Sequence, residues 1–218
     1  MAFVSGNFYL SQAQMEYNAQ LICQYFYSQG WSKNAISAML GNMQAESSIN
    51  PGIWESLTPY SGGYGLTQWT PYTKYSDWAT AQGYTWQNNG DAECERIQYE
   101  ANNNLQWFTN AEVGISPPIT FSQFTTSTLS VSTLSNYWLW FYEHPANPYY
   151  ETQQLRASYS NYWYNFLPDP DDPPTPPDPP DPDPPDPPEP DPDEPEWSPW
   201  FIWMMFKMKE RNFYRDGR

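Results

Sequence analysis

The chain is short of the residues that most catalytic and binding chemistry relies on. Its 218 residues include one histidine, His144, two cysteines, Cys23 and Cys94, and nine lysines and arginines. A Ser/His/Asp hydrolase or a Cys/His peptidase therefore has little to build on. His144, in Phe141-Tyr142-Glu143-His144-Pro145, reads as a helix-end residue. Two cysteines 71 positions apart do not make a metal site, which needs clustered ligands. They read either as buried free thiols or as a disulfide. No cofactor and no metal is expected. Only four cations, Lys33, Lys74, Arg96 and Arg156, fall within residues 1–167. That is too few for a phosphate-binding face, so nucleic acid is not expected as a partner. No 18-residue apolar run occurs, and Met1 to Leu10 has neither the basic start nor the apolar stretch of a secretory leader.

What the chain has in excess is proline and acid, and both sit in one place. Residues 168–195 hold 16 prolines, 11 acidic residues and Thr175. Most of these residues lack an amide hydrogen, which excludes helix and sheet. The expectation is a polyproline II spacer stiffened by self-repelling carboxylates, reaching roughly 87 Å at ~3.1 Å per residue. The formal charge of −16 belongs largely to this segment, because residues 1–167 carry only −7 and residues 196–218 carry +2. Three regions follow: a globular domain over 1–167, a linker over 168–195 and a C-terminal peptide over 196–218. The last gathers three Trp, two Phe, three Met and one Ile between Trp197 and Met208, followed by basic residues. This stretch is too short to cross a bilayer and suits an interfacial helix on a membrane or a peptide docked in a protein groove.

Within 1–167 the periodicity is helical. Helices are expected over 11–30, capped by Ser11, over 32–46, capped by Ser32, and over 72–81. Others are expected over 91–109, 130–142 and 149–166, the last with Leu155, Tyr159, Tyr162 and Phe166 on its apolar face. Residues 121–129 read as a loop or a short helix. No period-2 run gives a clear strand, although the glycines between Ile53 and Thr70 suit a small hairpin. The fold class is therefore mainly α, and about 165 residues suffice to bury a core.

One stretch organises the candidate chemistry. Met39, Met43 and Glu46 follow at i, i+4 and i+7, which puts Glu46 in line with the buried face of the second helix, before Asn50-Pro51-Gly52 stops it. A carboxyl beside apolar groups has its charged form disfavoured, as a general acid working near neutral pH requires. Next comes Gly62-Gly63-Tyr64-Gly65-Leu66-Thr67-Gln68-Trp69-Thr70, where three glycines in four positions point to tight backbone or close approach to a ligand.

These residues, Leu40-Gly41-Asn42-Met43-Gln44-Ala45-Glu46-Ser47, Asn50-Pro51 and Gly63 to Thr70, resemble the phage tail lysozyme family, related to goose-type lysozymes and lytic transglycosylases. Phe141 to Pro145 and Arg156-Ala157 add weaker likeness, and together the resemblance covers roughly residues 10–167. It implies a lysozyme-like domain that cuts peptidoglycan between N-acetylmuramic acid and N-acetylglucosamine, in a bacteriophage that breaches a Gram-positive wall or lyses its host. Glu46 is then the proton donor. Gln68 either bonds the sugar or a catalytic water, or ties down its own loop. Tyr64 and Trp69 either stack on sugar or pack in the core. Glu55 is the nearest candidate for a second carboxylate, with Asp77 less suited; Tyr142 and Glu143 would lie beside the cleft. Cleavage could end with water or, as in lytic transglycosylases, with attack by the muramyl 6-hydroxyl. The implied location is the virion tail, or the host cytoplasm before release to the wall. The implied partners are peptidoglycan and, through the C-terminal peptide, phage tail proteins or a membrane. The rival readings are a wall-binding or structural tail protein without turnover, and a membrane-lytic protein acting through its Trp-rich peptide.

Overall fold

In a computed structural model of the protein, the described residues are 2–58, 60–109, 117–144 and 150–171. The expected linker beyond residue 171 and the whole C-terminal peptide lie outside them.

The domain is built around one helix. α1 (Gln12–Ser28) starts at Ser11, whose hydroxyl accepts the Gln14 N–H while the Gln14 side chain accepts the Ser11 N–H. α2 (Lys33–Ser47) starts at Ser32, which caps the Ala35 N–H. All nine residues from Ala35 to Met43 are buried, so α2 runs through the core instead of lying on it with one face. It ends before Asn50-Pro51-Gly52: Ser48 and Ile49 turn into the left-handed region at φ 50° and 54°. Asn50 then has another task, donating through Nδ2 to the carbonyls of Gly6 and Phe8.

The hairpin expected between Ile53 and Thr70 is present as β1 (Trp54–Leu57) and β2 (Tyr60–Tyr64), antiparallel, with an irregular register between Trp54 and Ser56. α3 (Thr73–Ala81) follows. α4 (Gly90–Asn103) is shorter than its periodicity suggests. Its N-cap is Asn89, not Asp91, and Asn104 in the left-handed region ends it. Leu105 and Phe108, inside the span expected to be helical, lie beyond it and are exposed. The Phe108 N–H instead donates to the Phe141 carbonyl. α5 (Phe121–Thr125) settles the 121–129 segment as a short helix, begun by a capping box at Thr120.

α6 (Val131–Tyr137) runs into a π-helical turn over Trp138–Glu143, closed by a bond from the His144 N–H to the Leu139 carbonyl. α7 (Tyr150–Phe166) packs on α2 and α6. Its buried face is not the expected Leu155, Tyr159, Tyr162 and Phe166 but Arg156, Ser160, Trp163 and, just past its end, Leu167. The reason lies on α2. Gly41 lets the α7 backbone come so close that a Cβ there would stand 2.4 Å from the Ser160 nitrogen. Gln44 of α2 accepts the Trp163 indole N–H at 2.9 Å. The face is chosen by fit to α2, and it carries a charge and a hydroxyl. Cys23 and Cys94 are both buried free thiols; burial pushes Cys23 up to about 12.

Candidate active site

Glu46 lies in the last turn of α2, with 17% of its side chain exposed. It is not surrounded only by apolar groups, as the periodicity suggested. Arg156 of α7 reaches it, Nη2 bonding Glu46 Oε1. The other guanidinium nitrogen, Nη1, pairs with Glu143 Oε2 at 2.7 Å. A neighbouring guanidinium stabilises a charged carboxylate, the opposite of the push from an apolar surround. Arg156 is 6% exposed and also faces the Asn42 carbonyl and Oδ1 at 3.4 and 3.3 Å. Asn42 is held in turn by its own donations to Ala38 and Ser135. Three elements thus converge: the end of α2, the π-helical turn that delivers Glu143, and the first half of α7.

The glycine-rich loop is fixed to the same helix end. Ser47, next to Glu46, donates through Oγ to the Leu66 carbonyl at 2.8 Å. Gly65 sits at φ +79°, where a side chain would be strained. Gln68 turns its amide back into the loop, Nε2 donating to the Gly65 and Ile53 carbonyls at 3.0 and 3.2 Å. This is the loop-tying arrangement of the two weighed for it.

Tyr64 and Trp69 do not offer ring faces to a ligand. Both are 2% exposed, and each stacks on Tyr75. The Tyr64 hydroxyl accepts the Asn88 N–H and the Trp69 indole N–H donates to Glu100 Oε1. Tyr142 is buried too, stacked on Trp138, with its hydroxyl donating to Glu100 Oε2 at 2.5 Å. The sugar-contact expectation for these three rings gives way to core packing, because the loop needs an aromatic floor more than the surface needs a platform. Glu143 is brought to Glu46 through Arg156. Glu55 is the exposed residue of β1, and its Oε2 accepts the Gly63 N–H at 2.9 Å. Asp77 is an exposed residue of α3.

α4 carries two further residues that matter here. Glu93 and Glu100 are completely buried carboxyls. Glu100 holds the indole of Trp69, the hydroxyl of Tyr142 and the guanidinium of Arg96, at 2.8 Å. Burial pushes its carboxyl up, and Arg96, Tyr142 and Trp69 oppose that push. Glu93, Ile97 and Glu100 follow at i, i+4 and i+7, the spacing that singled out Glu46.

A family model described as phage tail lysozyme matches residues 17–167. The chain belongs to the phage tail lysozyme family. The match runs from within α1 to the end of α7 and includes the Glu46–Arg156–Glu143 cluster and its loop. The chain is 45% identical over 167 residues to "Morphogenesis protein 1" of Bacillus phage B103. That stretch is 76% of this chain and 43% of the phage B103 protein, so the chain spans less than half the length of this relative.

Proposed function

We propose that residues 1–167 cleave the glycan strand of peptidoglycan as a muramidase, with Glu46 as the proton donor to the leaving oxygen. Family membership supports the substrate and the bacteriophage setting. The observation that carries the assignment of the acid is the partly exposed Glu46 carboxyl at the helix end, tied to Arg156 and backed by the loop that Ser47 holds.

Glycoside cleavage needs a proton for the departing oxygen and stabilisation of an oxocarbenium-like transition state. Arg156 alone would favour the carboxylate form of Glu46. Glu143 shares the same guanidinium, so the three groups carry one surplus negative charge when both acids are ionised. A proton taken up by Glu46 leaves Arg156 still paired with Glu143. In this reading Glu143, and not Glu55, is the second carboxylate coupled to the acid, and Gln68 keeps the facing loop in shape. Glu55 secures the hairpin.

The name of the phage B103 relative places that protein in morphogenesis, and a virion-borne wall-cutting protein fits both findings. The Pro/Asp spacer and the aromatic-basic peptide, read from sequence, suit a tether that holds the enzyme away from its anchor. The test is digestion of purified peptidoglycan followed by mass spectrometry of the soluble fragments. New reducing saccharide ends are expected. Fragments ending in 1,6-anhydromuramic acid would make it a lytic transglycosylase, and no new saccharide ends would refute glycan cleavage.

A further inference from the structure

Glu93 has no part in the cluster above, and like Glu100 it is a completely buried acid. Its carboxyl is completely buried on α4, directly behind the glycine-rich loop. Oε2 accepts the Leu66 N–H at 2.6 Å, while Oε1 has no hydrogen-bond partner among the described residues. The carboxyl lies flat against the backbone of Gly65: a Cβ at that position would stand 2.5 Å from Oε2, 2.6 Å from Oε1 and 2.7 Å from Cδ. The glycine therefore meets two demands at once, its φ of +79° and the volume taken by Glu93.

Leu66 is thus gripped on both sides. Its N–H is held from α4 by Glu93, and its C=O is held from α2 by Ser47, the residue after Glu46. The next turn of the loop depends on the same peptide, because the Gly65 carbonyl accepts both the backbone and the side-chain N–H of Gln68.

We infer that Glu93 is a positioning residue: it sets where the Gly65–Gln68 loop stands relative to the end of α2, which carries Glu46. The surroundings agree with a neutral carboxyl. Burial pushes Glu93 well above the usual carboxylate range, and only the Leu66 N–H works against it. The titratable groups around it include Tyr64 on β2 and Tyr75 on α3, both raised chiefly by burial. The neighbouring Cys94 thiol is raised by burial as well. A neutral acid accepts one N–H as a carboxamide does, so the role is carried by shape and one lone pair, not by charge.

This inference rests on the proposed glycan cleavage for its kinetic readout but not for its structural one. The experiment compares the full chain with Glu93→Gln and Glu93→Ala, measuring kcat and KM on soluble peptidoglycan fragments and hydrogen exchange at the Leu66 amide. Glu93→Gln is expected to keep kcat within about 3-fold of wild type and to keep the Leu66 amide protected. Glu93→Ala is expected to lose ~10- to 100-fold in kcat per folded molecule, the size of effect that an ångström of misplacement produces, with KM little changed and the Leu66 amide exchanging faster. A folded Glu93→Gln protein that has lost activity or Leu66 protection would overturn the inference, and so would a folded Glu93→Ala protein with wild-type kcat. Should Glu93→Ala fail to fold, the Gln variant still decides. If the wild-type protein cuts nothing, the proposed function falls, while Leu66 exchange in the Gln variant still tests the positioning role.

Discussion

Replacing Arg156 with methionine perturbs the site at its most connected point. The guanidinium is the shared partner of Glu46 and Glu143, whose side chains are 17% and 9% exposed, and its own side chain is 7% exposed. Methionine keeps most of the volume and removes the charge. Removing one partner from a buried ion pair costs about 3–5 kcal/mol, because a charge is left uncompensated in low dielectric. Glu46 is only partly buried and water can take over some of its solvation, so ~3 kcal/mol is the better figure here. For a domain of this size 1 kcal/mol corresponds to about 2–4 °C, so Tm should fall by ~6–12 °C at pH 7. The loss should shrink as pH falls toward ~4.5, where the stranded carboxylates take up protons and cease to be buried charges. Adding Glu143→Gln to Arg156→Met should restore part of the loss, since one of the two stranded charges is then gone. Thermal melts by circular dichroism between pH 4.5 and 8 read all three expectations. A Tm within about 2 °C of wild type at pH 7, or a loss that grows toward acid pH, would refute this account of the cluster.

Other perturbations follow from single contacts. Gly41→Ala puts a Cβ within 2.4 Å of the Ser160 nitrogen, a backbone atom that cannot step aside; it should cost ~1–3 kcal/mol in a denaturant melt and lower activity by shifting α7, which carries Arg156. Glu93 binds its proton more tightly in the folded than in the unfolded chain. Glu93's contribution to wild-type stability should therefore fall as pH rises above the unfolded value near 4.5, by up to ~1.4 kcal/mol per pH unit, and the Tm of Glu93→Gln should rise relative to wild type from pH 4.5 to 7. Cys23 and Cys94, buried and with raised thiol values, should resist alkylation at pH 8 in the native protein and react fully in urea. Deleting residues 197–218 should leave glycan cleavage unchanged and abolish attachment to virions or membranes, measured by cosedimentation.

Much of the helical frame is legible in the sequence because caps act locally. Ser11 and Ser32 each mark a helix start through a hydroxyl that needs only the next few amides. The end of α2 is legible to within a residue, whereas the end of α4 is not: it stops where a non-glycine residue, Asn104, enters the left-handed region, and tertiary contacts decide that. Asn104 is held by accepting the Phe121 N–H, 17 positions away. The face of α7 is hidden for a related reason. Apolar periodicity favours Leu155 and Tyr162, whereas a glycine on another helix and two carboxylates select Arg156 and Ser160.

The candidate site divides along the same line. Glu46 and the glycine-rich loop stand out because their residues are close in sequence. Arg156, Glu143 and Glu93 are joined to them only by folding. Rings that look like sugar platforms in the sequence, Tyr64, Trp69 and Tyr142, prove to be the packed underside of the loop. An aromatic residue carries no local mark of which side of a loop it will occupy. Glu93 and Glu100 did carry a signal, their i, i+4, i+7 alignment with Ile97. A buried acid is disfavoured unless something neutralises or pairs it, and the groups that do so lie on other elements.

The central claim is that Glu46 donates the proton. Its most direct test is the rate of saccharide-end release from purified peptidoglycan by Glu46→Gln, compared with wild type at equal folded concentration. Glutamine keeps the shape and can still accept from Arg156 but cannot give up a proton to the leaving oxygen. A general acid contributes ~10²- to 10⁴-fold, so the account predicts a loss of at least ~100-fold with the fold intact; a folded Glu46→Gln protein that releases ends within about 3-fold of the wild-type rate would contradict it.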